Sequence, residues 1–202
     1  MRRRSGESDQ LGDDALVLFP PNRSRRSKKS KRGSRDKKQF FKKNPFKRPG
    51  SSALVIVIFF DPSTKNIEAE THLDITKLGT PKEKIGFITG SFDELKGDKN
   101  LNDTALREIL DEVGISPEIG TLIKIGTINE SPSYFLDVFA FIVPFNTELM
   151  PGHEVYPGTL DRKSPENIRL LIENAQILTR HAKAWRMLMD SKILENLEDL
   201  VK

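Results

Sequence analysis

Three acidic side chains stand close together in the stretch ALREILDEVGI, residues 105–115, and their type and spacing suit metal chemistry. Glu108, Asp111 and Glu112 are three and four residues apart, so a helix would bring them towards one face. Clustered carboxylates favour Mg²⁺ or Mn²⁺, because both ions take oxygen ligands and Mg²⁺ is commonly shared with a substrate phosphate. The alternative is a solvated charged face, in which Arg107 and Asp111 form an ordinary i,i+4 pair.

Two features of the surrounding sequence favour the metal site. The acids lie near the C-terminal end of the predicted helix, where the helix dipole disfavours negative charge and a bound cation would offset that cost. A strand, Gly90 and a loop precede the helix and would bring backbone carbonyls towards the same face. On the helix itself we expect an apolar stripe to pack on a sheet, with the acids largely on the other side. The stripe comprises Leu106, Ile109, Leu110 and Val113.

Runs of apolar residues predict the elements that must position this helix. ALVIVIFF, residues 53–60, predicts a buried first strand, and IEAETHL predicts a second strand that is half-buried. KIGFITG, TLIKIGTI and YFLDVFAFIVPF predict three more strands. The helix is expected to be capped by Asn102 or Asp103 and to end at Gly114. Helices are expected again from about residue 165, after a long loop. This order of elements predicts an α/β domain with a mixed sheet covered on both faces.

The composition excludes several kinds of site. The chain has no cysteine, so disulfides, zinc–thiolate centres and cysteine nucleophiles are excluded. Its longest apolar run, ALVIVIFF, is far shorter than the roughly 20 residues of a membrane-spanning helix, and we expect no membrane segment. The histidines His72, His153 and His181 lack the spacing of a metal site. Each is expected to lie at the surface or to be hydrogen-bonded in the core.

The charge is divided unevenly along the chain, whose net charge is +4. Residues 1–50 hold 17 Lys and Arg against five Asp and Glu, a net charge of +12, whereas residues 51–202 have a net charge of −8. We therefore expect a disordered Lys/Arg-rich tail over 1–50 and a folded domain over 51–202.

Residues 22–48 of this tail combine many basic side chains with three phenylalanines. Such a composition could support non-specific contact with RNA or DNA through phosphate binding and base stacking. A solubilising tail, a nuclear signal and docking on a partner are the alternatives. A cytoplasmic location is expected, or a nuclear one if the source is eukaryotic.

The stretch REILDEVGI resembles the second half of the Nudix box, Gly-x5-Glu-x7-Arg-Glu-U-x-Glu-Glu-x-Gly-U, where U is aliphatic. Every defined position matches except Asp111, which replaces a glutamate conservatively. GFITGSFDE resembles the beginning of the box, with Gly90 as its first glycine. The loop from Gly90 to Arg107 is about three residues longer than the pattern, and Lys99 stands where the first glutamate belongs. Glu94 and Asp98 are the acids that could take its place.

The resemblance implies a Nudix-like α/β/α sandwich with a mixed sheet and the activity of a pyrophosphohydrolase. Such an enzyme cleaves a nucleoside diphosphate linked to another moiety, so its partner is a nucleotide-derived small molecule. Carried over by position, Glu108, Asp111 and Glu112 would bind Mg²⁺, or Mn²⁺, together with the Gly90 carbonyl. Arg107 would orient the acids. A homodimer remains open.

The resemblance leaves the general base and the substrate open. The base would be one of the box glutamates or a later acid, and the later candidates are Glu148 and Glu154. The Ser131-Pro132 pair resembles the sequence found at this position in family members that act on ADP-ribose and nucleotide sugars. Tyr134 could stack on the base of such a substrate. Their alternative role is that of a strand entry with a packed aromatic residue.

Two other functions remain open from the sequence. One is hydrolysis at RNA 5′ ends, in which the basic tail would hold the transcript. The other is a catalytically inactive Nudix-like module that binds a nucleotide or RNA, which the lysine at position 99 supports.

Overall fold

A computed structural model of the chain describes residues 50–76 and 78–200. The predicted disordered tail, apart from Gly50, lies outside the described residues, and so does the basic stretch 22–48; both interpretations stay predictions. Within the described part of the chain, no helix has both the length and the apolar character needed to cross a membrane.

Six strands form one mixed sheet within the described residues. The order across the sheet is β4-β5-β1-β2-β6, and β3 also pairs with β1. β1 runs parallel to β5 and antiparallel to β2 and β3, so the predicted mixed sheet is confirmed. The strands are β1 (Ser51–Phe60), β2 (Ile67–Thr71), β3 (Ile88–Ser91), β4 (Thr121–Ser131), β5 (Tyr134–Pro144) and β6 (Asp161–Lys163).

The central strand β1 is buried along its whole length, as its run of Val, Ile and Phe predicts. Because successive side chains of a strand point to opposite faces, Leu54, Ile56 and Ile58 pack into one core cluster and Val55 and Val57 into another.

Helices cover both of these faces. The helix α1 (Leu101–Val113) packs on the second cluster, whereas α2 (Pro165–Glu173) and α3 (Thr179–Asp190) pack on the first. The α/β/α sandwich predicted from the sequence is therefore confirmed.

Helix α1 has a side-chain cap at its start and a glycine at its end. The side chain of Asn100 accepts hydrogen bonds from the backbone N–H groups of Asn102 and Asp103, so the cap lies two residues before the earlier of the two predicted positions. Gly114 ends the helix with φ of 68°, a conformation that favours glycine.

The predicted division of α1 into an apolar stripe and an acidic face is partly wrong. Leu110 is 50% exposed, whereas Glu108 and Glu112 are buried. The buried face comprises Thr104, Ala105, Glu108, Ile109, Glu112 and Val113. Two of the three acids therefore face the interior, which hydrophobic periodicity alone could not indicate.

Candidate active site

Arg107 is the centre of one half of the site, and Asp98 is its main partner. Arg107 Nε and Nη2 each donate to one oxygen of Asp98 at 3.0 Å, which makes a bidentate, charge-assisted pair. The Asp98 carboxylate also accepts from Asp93 N and Thr104 Oγ1. Burial by itself would raise the pKa of Asp98, but the hydrogen bonds from Arg107, Asp93 N and Thr104 outweigh it and lower the pKa.

The extra residues of the loop explain how Asp98 reaches Arg107. They form one turn of 3-10 helix, Glu94–Lys96, which Asp93 caps and Gly97 ends with φ of 95°. Asp98 N then donates back to Asp93 O, which closes the loop. Glu94 and Lys99 are exposed. Of the two acids proposed to replace the missing glutamate, Asp98 is buried and paired with Arg107, whereas Glu94 lies on the exposed 3-10 turn.

Glu108 lies directly against the backbone of β3 at Gly90. A Cβ atom at residue 90 would overlap with Cγ, Cδ and Oε1 of Glu108, so the first glycine of the box leaves room for this carboxylate. Arg107 Nη1 donates to Glu108 Oε1. Burial raises the pKa of Glu108, Arg107 opposes that shift, and the nearby Glu154 carboxylate adds to it. Asp111 is closer to solvent: its Oδ2 atom is 3.7 Å from Arg107 Nη1, and its side chain is 42% exposed.

The other half of the site is a buried group around His72, at the end of β2. Glu70, His72 and Asp74 alternate along the chain, so they share one side of the extended backbone. His72 Nδ1 donates to Glu70 Oε1 at 2.6 Å, and His72 Nε2 lies 2.8 Å from Asp74 Oδ1. Glu112 of α1 completes the group, with its Oε2 atom 3.4 Å from His72 Nε2.

This group was missed by sequence reasoning, which treated the three histidines as surface or core residues. The signal that could have found it is the alternation of ionisable residues at the end of IEAETHLD, where the strand becomes fully buried. The three box acids are consequently divided: Glu108 and Asp111 lie beside Arg107, whereas Glu112 lies beside His72.

The buried group holds more negative charge than one imidazole can neutralise. Burial raises the pKa of Glu112 to about 9; His72 opposes the shift, and Asp74, Glu70 and Glu108 add to it. Burial by itself would lower the pKa of His72, but the charge of Glu70 and the hydrogen bonds to Asp74 and Glu70 raise it well above its ordinary value. A proton or a cation must therefore offset the remaining charge.

A cavity of about 440 Å³ opens above these side chains. Its lining residues are Asp74, Ile75, Thr76, Lys82, Thr89, Glu112, His153 and Glu154. Lys82 forms an ion pair with Asp74 and brings a positive charge to the wall. The volume falls within the range of small-molecule sites, and the polar lining suits a phosphate-containing ligand.

The long loop after β5 is anchored on the C-terminal end of α1. Met150 N donates to Val113 O and Gly152 N donates to Glu112 O, which satisfies two carbonyls that the helix leaves unpaired. A side chain at Gly152 would overlap with the α1 backbone. This anchor brings Glu154 to the cavity, whereas the other later acid, Glu148, is exposed and is not among the described residues that line it.

The residues proposed to bind substrate lie at the turn between β4 and β5. Ser131 and Pro132 are exposed. The Tyr134 hydroxyl donates to Ser52 Oγ at 3.0 Å, so the aromatic ring is tied to the start of β1. None of the three is among the described residues that line the cavity. Their role in substrate binding stays a prediction.

No protein-family model matches the sequence, and a search of curated proteins finds no significant match. Solved structures do match. An Ap4A hydrolase from C. elegans is 12% identical with a TM-score of 0.52, and the match covers 69% of this chain and 96% of that one.

Two more matches have the same character. A NUDIX hydrolase from Alicyclobacillus acidocaldarius is 14% identical with a TM-score of 0.53, covering 76% of this chain and 97% of that one. The NUDIX domain of Shewanella oneidensis NrtR, solved with ADP-ribose, is 11% identical with a TM-score of 0.51, covering 74% and 92%. The described part of the chain has the Nudix fold.

Proposed function

We propose that the domain is a Nudix-type pyrophosphohydrolase that cleaves a phosphoric anhydride bond in a nucleoside diphosphate linked to another moiety. The observation that carries this proposal is the inward-facing arrangement at α1, where Asp98 pairs with Arg107 and both Glu108 and Glu112 are buried. Buried carboxylates are costly unless a partner offsets their lost hydration. A divalent ion with a bound diphosphate is a partner of that kind.

The side chains present fit Mg²⁺ or Mn²⁺. Glu108, Asp111 and Glu112 offer carboxylate oxygens, and in the described part of the chain the buried Oε2 atom of Glu112 has no hydrogen-bond partner. The Gly90 carbonyl is proposed as a further ligand. When bound, the ion would neutralise the diphosphate and activate a water molecule. The chain's own residues would hold the ion, with Arg107 orienting Glu108.

Burial raises the pKa of the Glu108 carboxyl, which makes its ionised form a stronger base. A carboxylate of this kind can accept a proton from the attacking water. Glu154 is the later acid with the best position, because it lines the cavity and its charge acts on Glu108.

We favour ADP-ribose or a nucleotide sugar as the substrate. The support is the size of the cavity, the positive charge of Lys82 on its wall, and the ADP-ribose bound by the NUDIX domain of NrtR. Ser131, Pro132 and Tyr134 are proposed to contact the nucleoside end of such a substrate.

The test is release of a nucleoside monophosphate by the full chain with Mg²⁺ or Mn²⁺. The panel comprises ADP-ribose, nucleotide sugars, dinucleoside polyphosphates and 5′-triphosphate RNA. Glu112→Gln should lower the rate by more than about 100-fold, beyond the loss typical of residues that only orient metal ligands. The matched control is Glu195→Gln, which changes an exposed acid outside the site and should keep the wild-type rate.

Two outcomes would replace the proposal with an alternative. Cleavage of RNA alone, falling steeply with salt, would favour a 5′-end hydrolase that uses the basic tail. Nucleotide binding with no release from any member of the panel would favour an inactive module.

A further inference from the structure

We propose that the buried group at the end of β2 is a metal site in its own right, in which His72, Asp74 and Glu112 bind a divalent ion of the zinc class. This inference deepens the proposed function, since it concerns the ion at the same cavity. The ion proposed for this site differs from the Mg²⁺ that the resemblance to the Nudix box implies.

The spacing of these side chains is close to that of the ligands of a tetrahedral ion. One nitrogen or oxygen atom from each of His72, Asp74 and Glu112 lies within 4.8 Å of the other two. Ligands at about 2.0–2.2 Å from a tetrahedral ion are separated by roughly 3.3–3.5 Å. The 3.4 Å from His72 Nε2 to Glu112 Oε2 meets this separation, and Asp74, 2.8 Å from His72, would withdraw by about half an ångström towards the cavity.

An unpaired buried oxygen independently indicates a ligand. Oε2 of Glu112 has no hydrogen-bond partner among the described residues, although Glu112 is only 3% exposed. Glu112 also lines the cavity, so an ion bound by this oxygen could enter from solvent. A buried carboxylate oxygen without a partner lowers the stability of the fold. A metal ion could bind this oxygen together with the neighbouring side chains of His72 and Asp74.

Glu70 holds His72 in the orientation that a metal ligand needs. Both side chains are fully buried, and His72 Nδ1 donates to Glu70 Oε1 at 2.6 Å. This contact directs Nε2 towards Asp74 and Glu112. Carboxylates commonly orient metal-bound histidines in this way, and they fix which ring nitrogen carries the proton. Glu70 is therefore a positioning residue.

The kind of donor selects the kind of ion. Mg²⁺ and Ca²⁺ prefer oxygen ligands, whereas an imidazole nitrogen with two carboxylates suits Zn²⁺, Co²⁺ and similar ions. Three protein ligands leave a fourth position, which is the arrangement of catalytic rather than structural zinc sites. That position would face the cavity lined by Lys82 and Glu154.

The first test is Co²⁺ titration of the untagged, metal-free full chain, followed by visible absorption. Because the chain has no cysteine, thiolate bands cannot contribute to the spectrum. We expect one Co²⁺ to bind with the intense absorption of a low-coordinate site, and an excess of Mg²⁺ should not displace it.

His72→Gln should weaken Co²⁺ binding by at least about 100-fold, and Glu70→Gln by about 10- to 100-fold. The control His153→Gln removes an exposed imidazole at the same cavity and should bind as wild type.

A measurement on the unaltered protein covers the case in which these variants do not fold. In ¹⁵N NMR spectra, one equivalent of Zn²⁺ should shift the Nε2 resonance of a single histidine. Unchanged histidine resonances at one equivalent would overturn the proposal, as would displacement of Co²⁺ by Mg²⁺ at equal concentration.

The outcomes separate this inference from the proposed function. Binding of Co²⁺ through His72 without hydrolysis of any panel substrate supports the metal site and contradicts the enzyme. Hydrolysis with Mg²⁺ but no Co²⁺ or Zn²⁺ binding through His72 contradicts the metal site alone.

Discussion

Replacing Glu112 by glutamine should stabilise the metal-free protein, even though it removes a proposed metal ligand. Burial raises the pKa of the Glu112 carboxyl from 4.5 to about 9. Neutral pH therefore favours ionisation in the unfolded chain but not in the folded one. Glutamine has nearly the same shape and no charge, so the folded variant avoids the cost of ionising this position.

The size of the effect follows from the two pKa values. Because the folded-state pKa is the higher one, the contribution of Glu112 to stability is fully present below about pH 4.5 and is lost as the pH rises towards about 9. The loss is about 1.4 kcal/mol per pH unit, so wild type should lose up to about 4 kcal/mol between pH 5 and pH 8 that Glu112→Gln retains.

Urea unfolding of both proteins at pH 5 and pH 8, in the presence of a chelator, measures this difference. Glu195→Gln, at an exposed acid, is the matched control; it keeps Glu112 and should therefore lose stability between pH 5 and pH 8 as wild type does. After removal of the chelator, added Mn²⁺ should stabilise wild type and not Glu112→Gln, because only the native site binds the ion. The reasoning is refuted if Glu112→Gln is less stable than wild type at pH 8, or if the difference between them is the same at both pH values.

Three further substitutions test how the site is built. Asp98→Asn should lower the free energy of unfolding by about 1–3 kcal/mol, measured in urea, because it weakens a buried bidentate pair with Arg107; unchanged stability would contradict that role. Gly90→Ala should destabilise the fold by about 1–3 kcal/mol through overlap with Glu108. Adding Glu108→Ala should recover most of that loss, and no recovery would count against the contact. Gly152→Ala should displace the loop from α1, which we expect to raise the KM for the substrate about tenfold in steady-state assays; an unaltered KM would show that the anchor is not needed.

Most of the architecture was accessible from the sequence because it depends on local patterns. The unbroken apolar run of β1 predicted a central buried strand, and Gly114 predicted the end of α1. The residues that carry the resemblance to the Nudix box lie together, since Arg107 Nη1 donates to Glu108 and Glu108 lies against Gly90. Their roles at a metal site stay predictions. These features could be predicted because each is set by residues close together in the chain or by a motif of known spacing.

The burial of Glu108 and Glu112 could not be predicted from periodicity. A hydrophobic pattern assigns acids to the solvent face and leucines to the core, so Leu110 was expected inside. The structure reverses these positions because Gly90 leaves room for one carboxylate and His72 meets the other. Contacts between the helix and the strands decide which of its side chains are buried, and the sequence pattern of the helix alone does not show these contacts.

The sequence by itself determined the order of the first five strands, the mixed sheet and the identity of the acidic helix. It did not indicate β6, which lies within the stretch predicted as a long loop and pairs with β2. Only the tertiary structure decided that Asp98 pairs with Arg107, since that contact depends on how one 3-10 turn takes up the extra residues. It alone also brought His72 to Glu112, across 40 positions of the chain. The physical reason is common to both: side chains distant in sequence meet only where packing of the sheet and helix brings their backbones together.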